Sequence, residues 1–262
     1  MVGVGVLTAA LGIYALNVEP GWIEVTTHTV GAGQSDRPLG PIRIVQISDL
    51  HLRRFGDREV RLTQTIRDLK PNAIVFTGDI IDRAENLALL ESFLAALGPT
   101  PRVAVLGNWE YWSTIDLQRL RSIYEATPNS ALLVNQRAAL TLDGREFEFV
   151  GLDDFTAGKP DTRLLRSQTS AAARVVLQHS PGLFGEARLP GNRQNQICLS
   201  GHTHGGQVSL FGRPFWTPRG SGSFVAGWYE TPSCRLYVSR GVGMSLLPIR
   251  FGARPELAVF EF

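Results

Sequence analysis

Leu199-Ser200-Gly201-His202-Thr203-His204-Gly205-Gly206-Gln207 sets two histidines one residue apart between glycines, directly after the apolar run Ile197-Cys198-Leu199. Residues i and i+2 of an extended chain share a side, so a strand ending in this turn aims both imidazoles at one point. The glycines let neighbouring backbone approach the same point. Neutral imidazole is the commonest metal ligand near pH 7, which makes a metal the natural object for the pair. An isolated His-x-His is as readily a polar surface loop, so the rest of the chain has to decide. It holds only five histidines, and three other stretches repeat the design of apolar strand, liganding residue and loop.

Upstream, Ile42 to Ile47 reads as a buried strand that delivers Ser48-Asp49-Leu50-His51. A helix with Leu62, Ile66 and Leu69 on one stripe follows and is stopped by Pro71. Ala73 to Thr77 is a strand delivering Gly78-Asp79-Ile80-Ile81-Asp82, and a second helix carries Leu87, Leu90, Leu94 and Leu97 and ends at Gly98. Arg102 to Leu106 then delivers Gly107-Asn108-Trp109-Glu110. This β-α-β-α-β order predicts a mostly parallel sheet with its ligands beyond the carboxyl ends of the strands. Ser113 is the expected cap of a third helix with Leu117, Leu120 and Tyr124 inward. The second half is strand-rich. Ala139–Leu142 and Glu146–Val150 flank Asp143-Gly144, a hairpin signal. Arg174 to Gln178 delivers His179, Gln196 to Ser200 delivers His202 and His204, and Leu236–Ser239 and Leu257–Phe262 add strands. A second sheet packed on the first, with helices outside both, covers these faces.

The 262 residues are 44% hydrophobic, enough to bury a full core, and 26 basic against 24 acidic side chains leave a net charge of +2. No basic field or interleaved aromatics argue for nucleic acid, and no such binding is expected. Cys198 and Cys234 lack metal-knuckle or redox spacing and sit in strand-like runs, so buried free thiols are expected. Val2 to Val18 carries no charged side chain, is close to the short limit for a membrane span, and ends sharply at Pro20-Gly21. Residues 1–20 are therefore expected to form a hydrophobic helix that acts as a membrane anchor or uncleaved signal-like segment, ahead of a domain over 21–262. The protein is expected at a membrane, the cytoplasmic face being the favoured side. Trp22 to Val30 alternates as an edge strand, with Ile23, Val25 and Thr27 inward and His28 on a solvated face. Gly31 to Pro41 reads as a loop, and Arg37 and Arg43 are the first basic residues.

Collected in order, the strand ends present Asp49, His51, Asp79, Asn108, His179, His202 and His204. Mixed nitrogen and oxygen donors suit Mn, Zn, Fe or Ni. Seven are too many for one tetrahedral site but suffice for two ions if one carboxylate bridges. The pattern D-x-H, GD-x-x-D, GN-x-E, a lone His and GH-x-H resembles the calcineurin-like metallophosphoesterases, from about Ile42 to the C-terminus. Val238-Ser239-Arg240-Gly241-Val242-Gly243 and Phe251-Gly252-Ala253-Arg254-Pro255-Glu256 resemble its membrane-anchored bacterial subgroup.

The resemblance implies a four-layer α/β/β/α sandwich of two mixed sheets. It also implies a dinuclear site with Mn the favoured metal. Asp49, His51, Asp79 and His204 would hold one ion, and Asp79, Asn108, His179 and His202 the other. The activity implied is hydrolysis of a phosphoester or phosphoanhydride by a hydroxide between the ions, on a phosphorylated small molecule or on a nucleotide-linked lipid such as UDP-diacylglucosamine. A broad phosphodiesterase or phosphatase, or a catalytically impaired metal-binding scaffold, is the alternative. Asp79, Asn108 and Glu110 are the catalytic candidates. Trp109 stands where most members have a histidine that protonates or stabilises the leaving oxygen, and indole offers only an N–H donor and a stacking face. Arg53, Arg54, Arg83 and Trp109 are the candidates to meet substrate, and Phe211, Phe215, Trp216 and Trp228 are available to acyl chains. Asp82 is expected to orient a ligand or its loop.

Overall fold

Strand sequences buried on both faces, such as Ala73-Ile74-Val75-Phe76-Thr77 and Arg174-Val175-Val176-Leu177, demand cover on two sides. The computed structural model, which describes residues 2–30, 41–166, 169–186 and 196–262, supplies it with two stacked six-stranded sheets. The first runs β1 (Glu24–Thr29), β14 (Glu256–Glu261), β2 (Arg43–Ile47), β3 (Ala73–Thr77), β4 (Arg102–Val105), β5 (Ala131–Leu132). The second runs β12 (Gly227–Glu230), β13 (Arg235–Val238), β9 (Gln196–Ser200), β8 (Ala173–Leu177), β7 (Arg145–Gly151), β6 (Gln136–Leu142). β2 to β5 are mutually parallel, as are β13, β9, β8 and β7. Antiparallel pairs of β14 with β2, β12 with β13 and β6 with β7 make both sheets mixed. A ribbon of β10 (Ser209–Leu210) and β11 (Arg213–Pro214) stands apart.

The core lies in three layers. Ile44, Val75, Val105, Phe147, Phe149, Val175 and Leu199 fill the space between the sheets. Val45, Ile74 and Phe76 on the outer face of the first sheet meet Leu62, Ile66, Leu90, Phe93 and Leu120 from α2 (Asp57–Asp68), α3 (Leu87–Ala96) and α5 (Leu117–Glu125). On the outer face of the second sheet, Val176, Cys198 and Leu236 meet Leu165, Phe184 and Phe224. Helical cover there is thinner than the sequence suggests: among the described residues it is a 3₁₀ turn, Thr162–Arg166, and the five-residue α6, Gly182–Glu186. The fold is an α/β/β/α sandwich with an unequal fourth layer.

Several expectations need correction. The edge strand exists, but its phase is inverted: Glu24, Thr26 and His28 turn inward and Val25 and Thr27 outward. Polar partners decide this. Thr26 donates to Glu256, Arg240 ties Glu24 to Glu256, and Trp228 donates to His28, whose ring lies 4.5 Å from that of Tyr237. His28 is thus half-buried rather than solvated, and Trp228 is packed rather than free. The cap of α5 is Asp116, which accepts from Gln118 and Arg119, whereas Ser113 donates to the Asp82 carbonyl. An unexpected α4, Asn108–Trp112, precedes it. The Gly31–Pro41 loop, with Arg37, lies largely outside the described residues.

At the N-terminus α1 (Val2–Ile13) is followed by a five-residue wide turn, Tyr14–Val18. No helix among the described residues is long and apolar enough to cross a membrane. Glu19 is buried, and its carboxylate accepts from the backbone of Gly252 and Ala253 at 3.0 and 2.7 Å.

Cys198 and Cys234 are not free thiols but a buried disulfide. β13 runs parallel beside β9, pairing Leu236 with Cys198, so a cysteine just before β13 arrives at its partner with a Cα–Cα distance of 6.1 Å. That is ordinary disulfide spacing. Under non-reducing denaturation neither cysteine should react with an alkylating reagent, and both should after reduction. Replacing both by serine should lower the unfolding free energy by about 2–4 kcal/mol, read from denaturant titration.

Candidate metal centre

Asp49 and His51 follow β2, Asp79 follows β3, Asn108 follows β4, His179 follows β8, and His202 and His204 follow β9. All seven are buried. Because these strands are parallel within each sheet, their carboxyl ends lie on one edge of the sandwich, where the site forms. The ladder extends past the strands: Asp49 N–H donates to Gly78 O and His51 N–H to Asp79 O. Gln46 cross-links the sheets beneath, donating to Thr77 Oγ1 and Ser200 O.

The turns that present these side chains are bent tightly. Asp49, His51, Asp79, His202 and His204 have φ of 53°, 45°, 53°, 72° and 52°. Left-handed backbone at such residues costs about 1–3 kcal/mol each and persists only where the surroundings enforce it. Gly78 shows the crowding: a Cβ there would stand 2.6 Å from Gly107 N and 2.7 Å from His179 Nδ1.

Two donor groups result, Asp49 with His51 and His204, and Asp79 with His179 and His202, each with donor atoms within 4.8 Å of one another. His51 Nε2 faces His204 Nε2 at 3.3 Å, and His179 Nε2 faces His202 Nδ1 at 3.1 Å. The Oδ2 atom of Asp79 stands between the groups, 3.2 Å from His179 Nε2 and 3.9 Å from His51 Nε2. Its Oδ1 accepts from the backbone N–H of Trp109, and Asn108 Oδ1 lies 3.2 Å from His179 Nε2.

Tautomers are fixed from behind. His179 Nδ1–H donates to Thr77 O and His202 Nε2–H to Arg219 O, each at 2.7 Å. The site-facing nitrogens of both rings therefore present lone pairs when the rings are neutral. Lone pairs at 3.1 Å, with a carboxylate and an amide oxygen beside them, repel unless positive charge lies among them. The residues thus fit cations.

The proton equilibria carry the same signature. Burial opposes the charged form of His179, yet Asp79, Asp49 and Asp154 outweigh it and hold its pKa well above the usual imidazole value. Burial lowers His51 and His202 to about 4, and burial with His51 and Arg250 nearby puts His204 well below normal. Burial raises Asp49 to about 6. For Asp79 burial is overcome by His179, His51 and His202, so it titrates far below an ordinary carboxylate.

The remaining candidates scatter. Glu110 is buried, and its carboxylate accepts from the backbone of Gly107, Asp79, Ile80 and Ile81, tying the loop after β3 to the start of α4. Burial, then Asp79, raises its pKa to about 7. Arg53 grips Asp82 at 2.7 and 2.8 Å, and Asp82 Oδ2 lies 3.9 Å behind His51 Nδ1. Arg83 is exposed beside Glu85, and Arg54 is exposed with no ion pair among the described residues. The Trp109 ring meets the His51 ring edge-on at 5.9 Å.

Sequence reasoning missed Arg250. It is fully buried and donates to the carbonyls of His204, Arg240, Gly241, Gly243 and Ala253, holding the loop against which Asp49 and His204 pack. Burial lowers its pKa to about 9. A single cation inside Leu246-Leu247-Pro248-Ile249-Arg250-Phe251 was the available signal.

The calcineurin-like phosphoesterase profile matches residues 42–206, the span from β2 through the His-x-His turn. The chain belongs to this family. It is 35% identical to the metallophosphoesterase YkuE of Bacillus subtilis over 98% of this chain and 91% of that one. Phosphodiesterase YaeI of Escherichia coli is 30% identical over 93% of this chain and 89% of its own length. The UDP-2,3-diacylglucosamine pyrophosphatase LpxG of Chlamydia muridarum is 28% identical, with 95% and 92% covered. Among solved structures, the sulfate thiohydrolase SoxB of Thermus thermophilus shares the fold at a TM-score of 0.51 and 16% identity, over 86% of this chain and 57% of that one. The protein is a phosphoester hydrolase, with two buried donor groups able to hold metal ions.

Elemental analysis of protein loaded with Mn or Zn should return roughly two ions per chain. Asp79→Ala should lose both, and His204→Ala and His202→Ala one each. One ion or none in the folded wild type would contradict the dinuclear arrangement.

Proposed function

We propose that the protein hydrolyses phosphoanhydrides or phosphodiesters with good leaving groups, on a nucleotide-linked lipid such as UDP-diacylglucosamine. Trp109 carries the reading: where relatives of this pattern place an acidic histidine, the indole cannot protonate a departing oxygen. A nucleoside phosphate leaves without that proton, whereas an alkoxide does not. The lipid-linked class is supported by the similarity to LpxG and by the uncharged run from Val2 to Val18. The wider phosphodiesterase reading is supported by the similarity to YaeI.

In this reading Asp49, His51, Asp79 and His204 hold one divalent ion and Asp79, Asn108, His179 and His202 the other, Mn being favoured over Zn, Fe or Ni. Such ions supply Lewis acidity toward phosphoryl oxygens and a lowered pKa for the attacking water. Thr77 O and Arg219 O hold the rings of His179 and His202 by their far nitrogens, so that Nε2 of His179 and Nδ1 of His202 face the site and would bind an ion in place of a proton, and the backbone N–H of Trp109 fixes the rotation of the Asp79 carboxylate. Glu110 acts by holding the loops, and Asp82 with Arg53 supports the rear of His51. Of the three arginines after Asp49 and Asp79, Arg53 and Arg83 pair with Asp82 and Glu85, and Arg54, with no ion pair among the described residues, is left to meet substrate. The uncharged N-terminal segment attaches the domain to a membrane. A disulfide persists in oxidising compartments, so the Cys198–Cys234 bond favours the outer over the cytoplasmic face.

The test is a comparison of wild type and Trp109→His on a nitrophenyl diester, a nucleotide pyrophosphate and an alkyl phosphate, with and without Mn. General acid catalysis supplies about 10²–10⁴-fold, and only where a proton must reach the leaving oxygen. The variant should gain selectively on the alkyl substrate. A uniform collapse on all three at unchanged metal content would assign Trp109 to pocket shape and remove the leaving-group argument.

A further inference from the structure

The ribbon of β10 and β11 begins five residues after His204 and turns at Phe211-Gly212, where φ is 52° and 76°. Its tip residue Phe211 is 95% exposed, and Phe215 and Trp216 beyond it are 73% and 63% exposed. Leu246 and Leu247, from the loop before Arg250, are 68% and 60% exposed. Isolated apolar side chains on a surface need no explanation, but large ones gathered on neighbouring loops mark an interaction site.

Hydrogen bonds join these loops into one unit. Gln207 donates to the carbonyls of Ser245 and Leu247 and accepts from Ser245 N–H. Ser209 N–H donates to Phe251 O, and Phe251 N–H to Gln207 O. The same strand of backbone receives the N-terminal segment: Arg250 N–H donates to Ala15 O, and the Tyr14 ring meets the Phe251 ring edge-on at 6.1 Å. α1 therefore leaves the domain from the loop cluster that carries the apolar rim. Its Leu7, Leu11 and Ile13 are themselves exposed.

We propose that Phe211, Phe215, Trp216, Leu246 and Leu247 form a rim that inserts into the interface of a lipid bilayer. This deepens the membrane reading above and rests on it. Two observations select a bilayer over a protein partner. The rim is continuous, through Phe251 and Ala15, with a helical segment that carries no charge and leaves Leu7, Leu11 and Ile13 exposed among the described residues. Arg213 and Arg219 flank Phe215-Trp216, both exposed and with no carboxylate within 4.0 Å among the described residues, as suits anionic headgroups. Phe and Trp beside arginine are the side chains that settle at the headgroup boundary. The consequence is functional. Arg219 also holds His202 through its carbonyl, so the rim and the donor groups share one loop, and an immersed rim brings the site to the headgroup plane where a lipid-linked phosphate sits.

The experiment labels the full chain at Phe211→Cys with a polarity-sensitive dye, the two native cysteines being bonded to each other, and compares it with a label at the exposed Arg61→Cys on α2. Both proteins are added to phosphatidylglycerol–phosphatidylethanolamine vesicles, plain or brominated close to the headgroup, after confirming unchanged hydrolysis of a nitrophenyl diester. The 211 label should shift to the blue and lose emission to the brominated lipid, and the 61 label should do neither. Sedimentation with vesicles while both labels stay in water would overturn the rim and leave the N-terminal attachment standing. Equal quenching of both labels would overturn it as dye partitioning, and a blue shift that grows with protein concentration without vesicles would make a second copy the occupant. Absence of sedimentation would remove the membrane reading and the rim together.

Discussion

Everything at the edge where the strand ends meet depends on keeping lone pairs that face one another in place. Four imidazoles, two carboxylates and an amide converge as buried side chains, and their mutual repulsion has to be met by positive charge at the centre and by rigidity behind each donor. Rigidity comes from backbone. Thr77 O and Arg219 O hold two rings by their far nitrogens, and the Asp49 carboxylate accepts from His202 N–H at 3.0 and 3.1 Å. The left-handed turns at Asp49, His51, Asp79, His202 and His204 are the cost of bringing strand ends this close. Three apolar layers, with Gln46 bolting the sheets together just below, make that strain tolerable.

The parts of this arrangement legible in the sequence were those written in local pattern. Buried strands followed by Asp-x-His, Gly-Asp, Gly-Asn or Gly-His-x-His announce both the parallel order and the convergence of these donor side chains, because strand direction alone carries each motif to the same edge. What escaped depends on partners distant in sequence. The phase of β1 follows from Glu256, Arg240 and Tyr237, all more than two hundred residues downstream. Alternation by hydrophobicity pointed the wrong way, because the inward face there is a polar network. Cys198 and Cys234 become neighbours only when β13 pairs with β9, a crossover that no spacing rule encodes.

Glu110 illustrates a different limit. Its place after Gly-Asn suggested chemistry, and its type allowed it, yet four backbone N–H groups surround the carboxylate. A carboxylate so enclosed ties the loop that carries Asp79 to the start of α4, next to Asn108. Arg53 is similar: an arginine after a ligand can grip phosphate, and here its Nε and one terminal nitrogen are engaged by Asp82.

Arg250 extends the argument beyond the strand ends. A guanidinium with five carbonyls around it, fully removed from water, costs several kcal/mol to desolvate and is stable only because each N–H finds an acceptor. Those carbonyls belong to residues 204, 240, 241, 243 and 253, so one side chain fixes the distance between the His204 turn and the loop that carries Gly243 over Asp49. The loop is held from its other side by Glu19, through Gly252 and Ala253. The segment that joins α1 to the domain is therefore part of the scaffold of the donor groups, not a tether hung from it. A displacement at Ala15 or Glu19 has a short covalent and hydrogen-bonded route to His204, by way of Arg250.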